Sequence, residues 1–215
     1  MFRFKNQHRI FRLPWQAYLM GIPFWLLITS ACIAGTKINI DSQQYTISGE
    51  RTDDIFQDMV RQVDIDPNGK RYSSYTRWFI DWQIRISEND EGDCQIDDLD
   101  LILTIKQRLP RFLPQTDNST RLIEAWQNYE RALTKHENQH RDLAIAALDR
   151  IEQAVYRQLT APDCETLDAR TIERVDAIIQ DLKRLQQAYD RRTENGKTEG
   201  VILPQSLSDR ADADD

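Results

Sequence analysis

The sequence predicts an α+β fold: a small antiparallel sheet packed on two long C-terminal helices. Two observations carry that expectation. Apolar residues alternate from Trp78 to Ile86 and again from Leu99 to Ile105, the period of half-buried strands. After Ser119 the apolar period becomes 3.6, and it returns in a second long stretch near the end. Strands first and helices after is the order of an α+β domain, and the chain carries no internal repeat.

The amino terminus stands apart. Arg3, Lys5, Arg9 and Arg12 form a basic lead with no acidic residue before Asp41. An apolar run from Trp15 to about Ala34 follows, ending in the small residues around Ser30–Gly35. A positive lead, an apolar middle and a small-residue exit are the parts of a secretory signal, with cleavage expected after Ala34. The run is nearly long enough to span a bilayer, so an uncleaved signal anchor is the alternative. Cys32 offers a lipid attachment, but Thr29 stands where a lipoprotein signal has leucine. Residues 1–34 are thus expected to be a signal peptide or anchor, 35–204 one domain, and 205–215 a disordered acidic tail. The destination is the periplasm or cell envelope.

Charge and cysteines agree with export. The chain of 215 residues has a net charge of -7, and losing four cations with residues 1–34 takes it to -11. That excludes the basic patch a nucleic-acid partner requires. Of three cysteines, Cys94 and Cys164 remain after signal removal, an even pair expected to form a disulfide in an oxidising compartment.

Along the mature chain, Lys37–Ile47 reads as strand interrupted by a turn at Asp41–Gln44. Thr52 is expected to cap a short helix carrying Ile55, Phe56, Met59, Val60 and Val63. Pro67-Asn-Gly69 is a turn signal. Trp78, Ile80, Trp82, Ile84 and Ile86 alternate against Asp81, Gln83 and Arg85, and Leu99, Leu101, Leu103 and Ile105 form a second strand. The Asn89–Gly92 turn joins them as an antiparallel hairpin, ended by Pro110 and Pro114. Asp117-Asn-Ser119 then caps a long helix that ends near Leu159, before Pro162. (Asn118-Ser-Thr120 also fits a glycosylation acceptor, but a helix cap is the better reading.) A second helix is expected from about Ala169 to Arg191, and Val201–Leu203 as a short docking segment. Trp78, Trp82 and Trp126 fall on the apolar faces and read as core.

The first long helix carries His136-Glu137-Asn-Gln-His140, an H-E-x-x-H pattern. Residues four apart on a helix share a face, so both imidazoles can reach one zinc ion. Glu137 lies about 100° round the helix, beside the metal rather than on it. There its carboxylate can take a proton from a zinc-bound water, making it the general base of peptide hydrolysis. The alternative is two histidines satisfied by hydrogen bonds in a helical core. Against it, these are the only histidines of the mature chain, and both fall in the motif.

These residues, with others, resemble a bacterial family described as secreted zinc-dependent proteases, a domain of otherwise unknown function. The likeness rests on Tyr45 to Gly49, Thr76-Arg-Trp-x-x-Asp-Trp82, Cys94, Leu109-Pro110, Trp126-x-x-Tyr129 leading into the histidines, and Tyr189-Asp-x-x-Thr193-x-x-Gly196. The resemblance implies a zincin-like active helix, a Zn²⁺ cofactor and a peptide or protein substrate in the envelope. The family's last motif ends in His-Gly, and its histidine is a natural third ligand; this chain has Asn195 there. An amide is a weak zinc ligand, so a carboxylate must complete the site, and Glu194, Asp190 and Glu199 are at hand. Two functions follow: an envelope zinc metallopeptidase, or a catalytically degraded binding or assembly protein that keeps the peptidase fold.

Overall fold

The computed structural model describes residues 35–65, 69, 71–157 and 160–203. The expected signal segment, the acidic tail, Pro67 and Asn68 of the turn and Leu159 lie outside them. The elements run β1 (Thr36–Ile47), α1 (Thr52–Arg61), β2 (Asp64–Ile65), β3 (Arg71–Tyr72), β4 (Tyr75–Glu88), β5 (Cys94–Phe112), α2 (Thr120–Tyr156), β6 (Thr160–Ala161) and α3 (Cys164–Thr193). A 3-10 turn, Lys197–Glu199, follows. This is the expected α+β class, with two long C-terminal helices.

The sheet is mixed. β4 and β5 form the expected antiparallel hairpin, but β1 joins the other side of β5 in parallel, giving the order β1-β5-β4. β6 adds two residues beside the start of β5. β2 and β3 form a small separate ribbon.

Period-2 patterning determines which face is covered. Trp78, Trp82, Ile84 and Ile86 of β4 meet Leu99, Leu101, Leu103 and Ile105 of β5 in one buried layer. Ala144, Ala147, Leu148 and Ile151 of α2, with Val175, Ile179 and Leu182 of α3, close over it. The alternate residues of the hairpin are more exposed and largely charged, as a solvated face requires. A second cluster forms at the far end of the sheet, where Ile47, Ile55, Met59, Phe112, Leu122, Trp126 and Tyr129 meet. Val201 and Leu203 dock against this cluster.

Several boundaries differ from the sequence reading, each for a physical reason. β1 has no turn at Asp41–Gln44, because its ladder with β5 runs unbroken from Thr36↔Leu101 to Ile47↔Phe112. β5 passes through Pro110, because β4 pairs only as far as Arg108. Beyond that point β5 has a neighbour on one side alone, and a missing N–H can face away from it. α1 is capped by Arg51 rather than Thr52, its N–H donating to the Asp54 carboxylate at 3.1 Å. Phe56, expected on the buried face, is 46% exposed. α3 begins five residues earlier than Ala169, because Asp163 accepts from the Thr166 N–H at 2.7 Å and starts the helix. The cap of α2 is Ser119, accepting from the Leu122 N–H at 3.2 Å.

A disulfide joins Cys94 at the start of β5 to Cys164 at the start of α3, with Cα atoms 5.0 Å apart. Such a bond belongs to an oxidising compartment. No helix among the described residues is long and apolar enough to cross a membrane.

Candidate metal centre

The site forms where the middle of α2 faces the end of α3. The i, i+4 spacing turns His136 and His140 toward α3, both nearly buried. Their rings lie edge to face with centroids 4.9 Å apart. The two Nε2 atoms are 3.3 Å apart. Both converge on one carboxylate oxygen, Asp190 Oδ1, at 2.9 Å from His140 and 3.4 Å from His136. His136, His140 and Asp190 are the one group of metal-capable side chains this close together among the described residues.

The opposite ring nitrogens are already engaged. His136 Nδ1 donates to Glu199 Oε2 at 3.1 Å, and His140 Nδ1 donates to Gln186 Oε1. Gln186 Nε2 in turn donates to the His140 carbonyl at 2.9 Å. Tyr189 stacks on His136 with centroids 4.9 Å apart, and its hydroxyl donates to Glu199 Oε2 at 2.7 Å. Each imidazole is thus held in the tautomer that leaves Nε2 as an electron-pair donor.

Three electron-pair donors pointed at one another could hold a cation between them. A tetrahedral zinc with bonds of about 2.0–2.1 Å has ligand–ligand edges of about 3.3–3.4 Å. The separations of 3.3 and 3.4 Å match those edges, and the third, 2.9 Å between His140 and Asp190, is shorter. The donor set, two imidazoles and a carboxylate, suits a borderline metal. The residues fit a metal ion. Without a metal, the same groups attract a proton. Burial alone would lower the histidine pKa values, but hydrogen bonds donated to Asp190 and to Glu199 or Gln186 outweigh it and raise both. Burial would raise Asp190, yet the two histidines hold it well below the usual carboxylate range.

Glu137 is buried, but its carboxylate faces the sheet. Ser74 Oγ donates to Oε1 at 2.8 Å and Thr76 Oγ1 to Oε2 at 2.7 Å. Gln107 Nε2 donates to the Glu137 carbonyl at 3.3 Å. Both imidazoles still feel its charge.

Asn195 is exposed and sits in the left-handed region at φ 56, where its N–H donates to the Asp190 carbonyl at 2.8 Å. Asparagine tolerates that conformation better than most side chains. Of the three carboxylates considered, Asp190 meets both histidines, Glu199 orients one of them, and Glu194 is the exposed cap residue of α3 at φ 50. Gly196 follows at φ 85, and a Cβ there would lie 3.1 Å from the His136 ring and 2.6 Å from Val201. Gln186, Ser74 and Gln107 were not singled out from the sequence. Gln186 sits one helical turn before Asp190, a spacing that signals a shared face; nothing in the sequence marks the other two.

Residues 42–197 match the family described as bacterial protein of unknown function, DUF922. The chain belongs to that family. No match was found among curated proteins or among solved structures. The DUF922 match begins within β1 and ends just after Gly196, so His136, His140 and Asp190 lie inside it and Glu199 just beyond it.

Proposed function

We propose that this DUF922 chain is an exported zinc metallopeptidase of the cell envelope. The observation that carries the reading is the convergence of His136 Nε2, His140 Nε2 and Asp190 Oδ1 within 3.4 Å of one another. Those three residues would hold the metal, with Glu199 and Gln186 fixing the rings. Bound zinc supplies Lewis-acid chemistry, polarising a peptide carbonyl and acidifying a water. Glu137 acts as general base, taking a proton from the attacking water and returning it to the leaving amine. The Ser74 and Thr76 hydroxyls hold that carboxylate in one orientation. Peptides or proteins of the envelope are the substrate class. The Cys94–Cys164 bond supports an extracytoplasmic setting.

A second reading has its own observation. Both oxygens of Glu137 accept hydrogen bonds at the helix–sheet junction, the pattern of a structural anchor. On that reading the protein binds a metal without turnover and serves as a binding or assembly module.

Elemental analysis of the purified chain separates these. Stoichiometric zinc that is lost in His136→Ala, His140→Ala and Asp190→Ala, but kept in Asn195→Ala, is the expected result. Glu137→Gln should then keep zinc and lose about 10²–10⁴-fold in peptide hydrolysis. Zinc binding with no hydrolysis by the unaltered chain favours the module. Absence of zinc after supplementation rejects both.

A further inference from the structure

Among the described residues β1 is an edge strand, open over Thr36–Ser42, while near its end the Thr46 carbonyl accepts from Gln62 Nε2 at 2.9 Å. It runs twelve residues, Thr36–Ile47, with no proline and no register shift, and β5 is its one neighbour among the described residues. Long regular edges invite pairing with another chain, and proteins usually blunt them with bulges, proline or charge. β4, the other edge, has a register shift between Arg85 and Ile86 and none of the widely exposed apolar residues. β1 differs. Ile38 and Ile40 are 42% and 53% exposed, although they stand on the helix-covered face opposite the buried Leu103 and Ile105.

We propose that β1 pairs antiparallel with β1 of a second copy of this chain, about a two-fold axis at Asn39. The backbone sets which groups are free. Leu101 N–H donates to the Gly35 carbonyl, and each strand residue turns both its main-chain groups to one side. The odd-numbered residues of β1 therefore face β5, and Thr36, Ile38, Ile40 and Ser42 present N–H and C=O groups to the open side.

Side chains select the register. A pairing centred on Asn39 sets Ile38 against the partner's Ile40, and Lys37 against the partner's Asp41. Moving the centre by one residue either way loses the ion pairs and leaves a single isoleucine pair, on the axis, in place of two. The isoleucine pair lies on the helix-covered face and the ion pair on the other, so both sides of the seam are complementary. Asp41 now accepts from Gln43 Nε2 at 3.2 Å within its own strand, an exposed bond that a partner lysine can replace. Two-fold pairing of one patch is the commonest route to a soluble oligomer.

The full chain carrying Cys32→Ser provides the test. The chain should sediment as a dimer. Asn39→Cys should oxidise to a covalent dimer, because facing non-hydrogen-bonded residues have Cα atoms about 4.5 Å apart, within disulfide reach. Gln43→Cys should not, since its two copies would lie about 27 Å apart. Lys37→Asp should weaken the dimer about tenfold, and adding Asp41→Lys should restore it, with circular dichroism unchanged throughout. A chain that stays monomeric, equal crosslinking through Gln43→Cys, or a double exchange that fails to restore the dimer overturns the proposal.

Discussion

At the scale of single residues, the centre is a balance between burial and hydrogen bonding that a bound metal would resolve. In the metal-free protein, burial pushes His136 and His140 down, while Asp190 and its neighbours push them up and prevail. A raised histidine contributes stability that is complete below the ordinary value of 6.5 and is lost as pH rises through the folded value. Asp190, held low, contributes above the ordinary 3.8 and is lost as pH falls. The cluster therefore favours the metal-free fold most between those limits. Zinc needs neutral imidazoles, so its binding strengthens as pH rises. Between about pH 5 and 8 the metal-free chain should lose stability relative to Asp190→Asn, while the stabilisation from zinc grows. Thermal unfolding with chelator and with zinc measures both. Equal zinc stabilisation at the two ends of that range would remove the histidines from the metal.

At the scale of elements, the end of α3 sets the geometry. Tyr189 and Asp190 lie on its last turn, and a left-handed run through Glu194, Asn195 and Gly196 brings Glu199 back under His136. Gly196→Ala places a methyl against His136 and Val201 in a conformation alanine resists. It should cost about 1–3 kcal/mol and lower metal affinity as well, read from denaturant unfolding and zinc titration. A stability loss with unchanged zinc affinity would mean that this turn does not position the ligands. The same turn marks the limit of the sequence reading. His136, Glu137 and His140 were legible because an i, i+4 pair declares its face without knowledge of the fold. Asp190 was legible only as one of several carboxylates, because choosing it needs the crossing of α2 and α3. Asn195 drew attention through a resemblance, whereas its φ of 56 gives asparagine a backbone reason to be there. Ser74 and Gln107 were invisible, because their partner is a helix more than twenty residues on. The alternation of β4 and β5 gave their pairing, while β1 shows its apolar residues mostly exposed and buries only Ile47, so it read as a strand but not as a parallel neighbour of β5.

At the scale of the whole molecule, two links hold the α2–α3 hairpin at opposite ends. The Cys94–Cys164 bond closes a span of 70 residues near the start of α3, and the candidate metal centre ties the end of α3 to the middle of α2. From His140 to the end of α2 at Tyr156 is sixteen residues, about 24 Å of helix, so the links share no partner. The disulfide acts largely on the unfolded chain, and a loop of that length is worth about 4 kcal/mol. A bound metal would act on the folded chain, adding about 2.7 kcal/mol at a hundred times its dissociation constant. Distant, independent effects add. Replacing both cysteines by alanine should therefore lower stability by about 4 kcal/mol and leave the increment from zinc unchanged. Zinc stabilisation that disappears with the disulfide would show instead that β5 and the start of α3 must be joined before the far end of the hairpin can assemble its ligands.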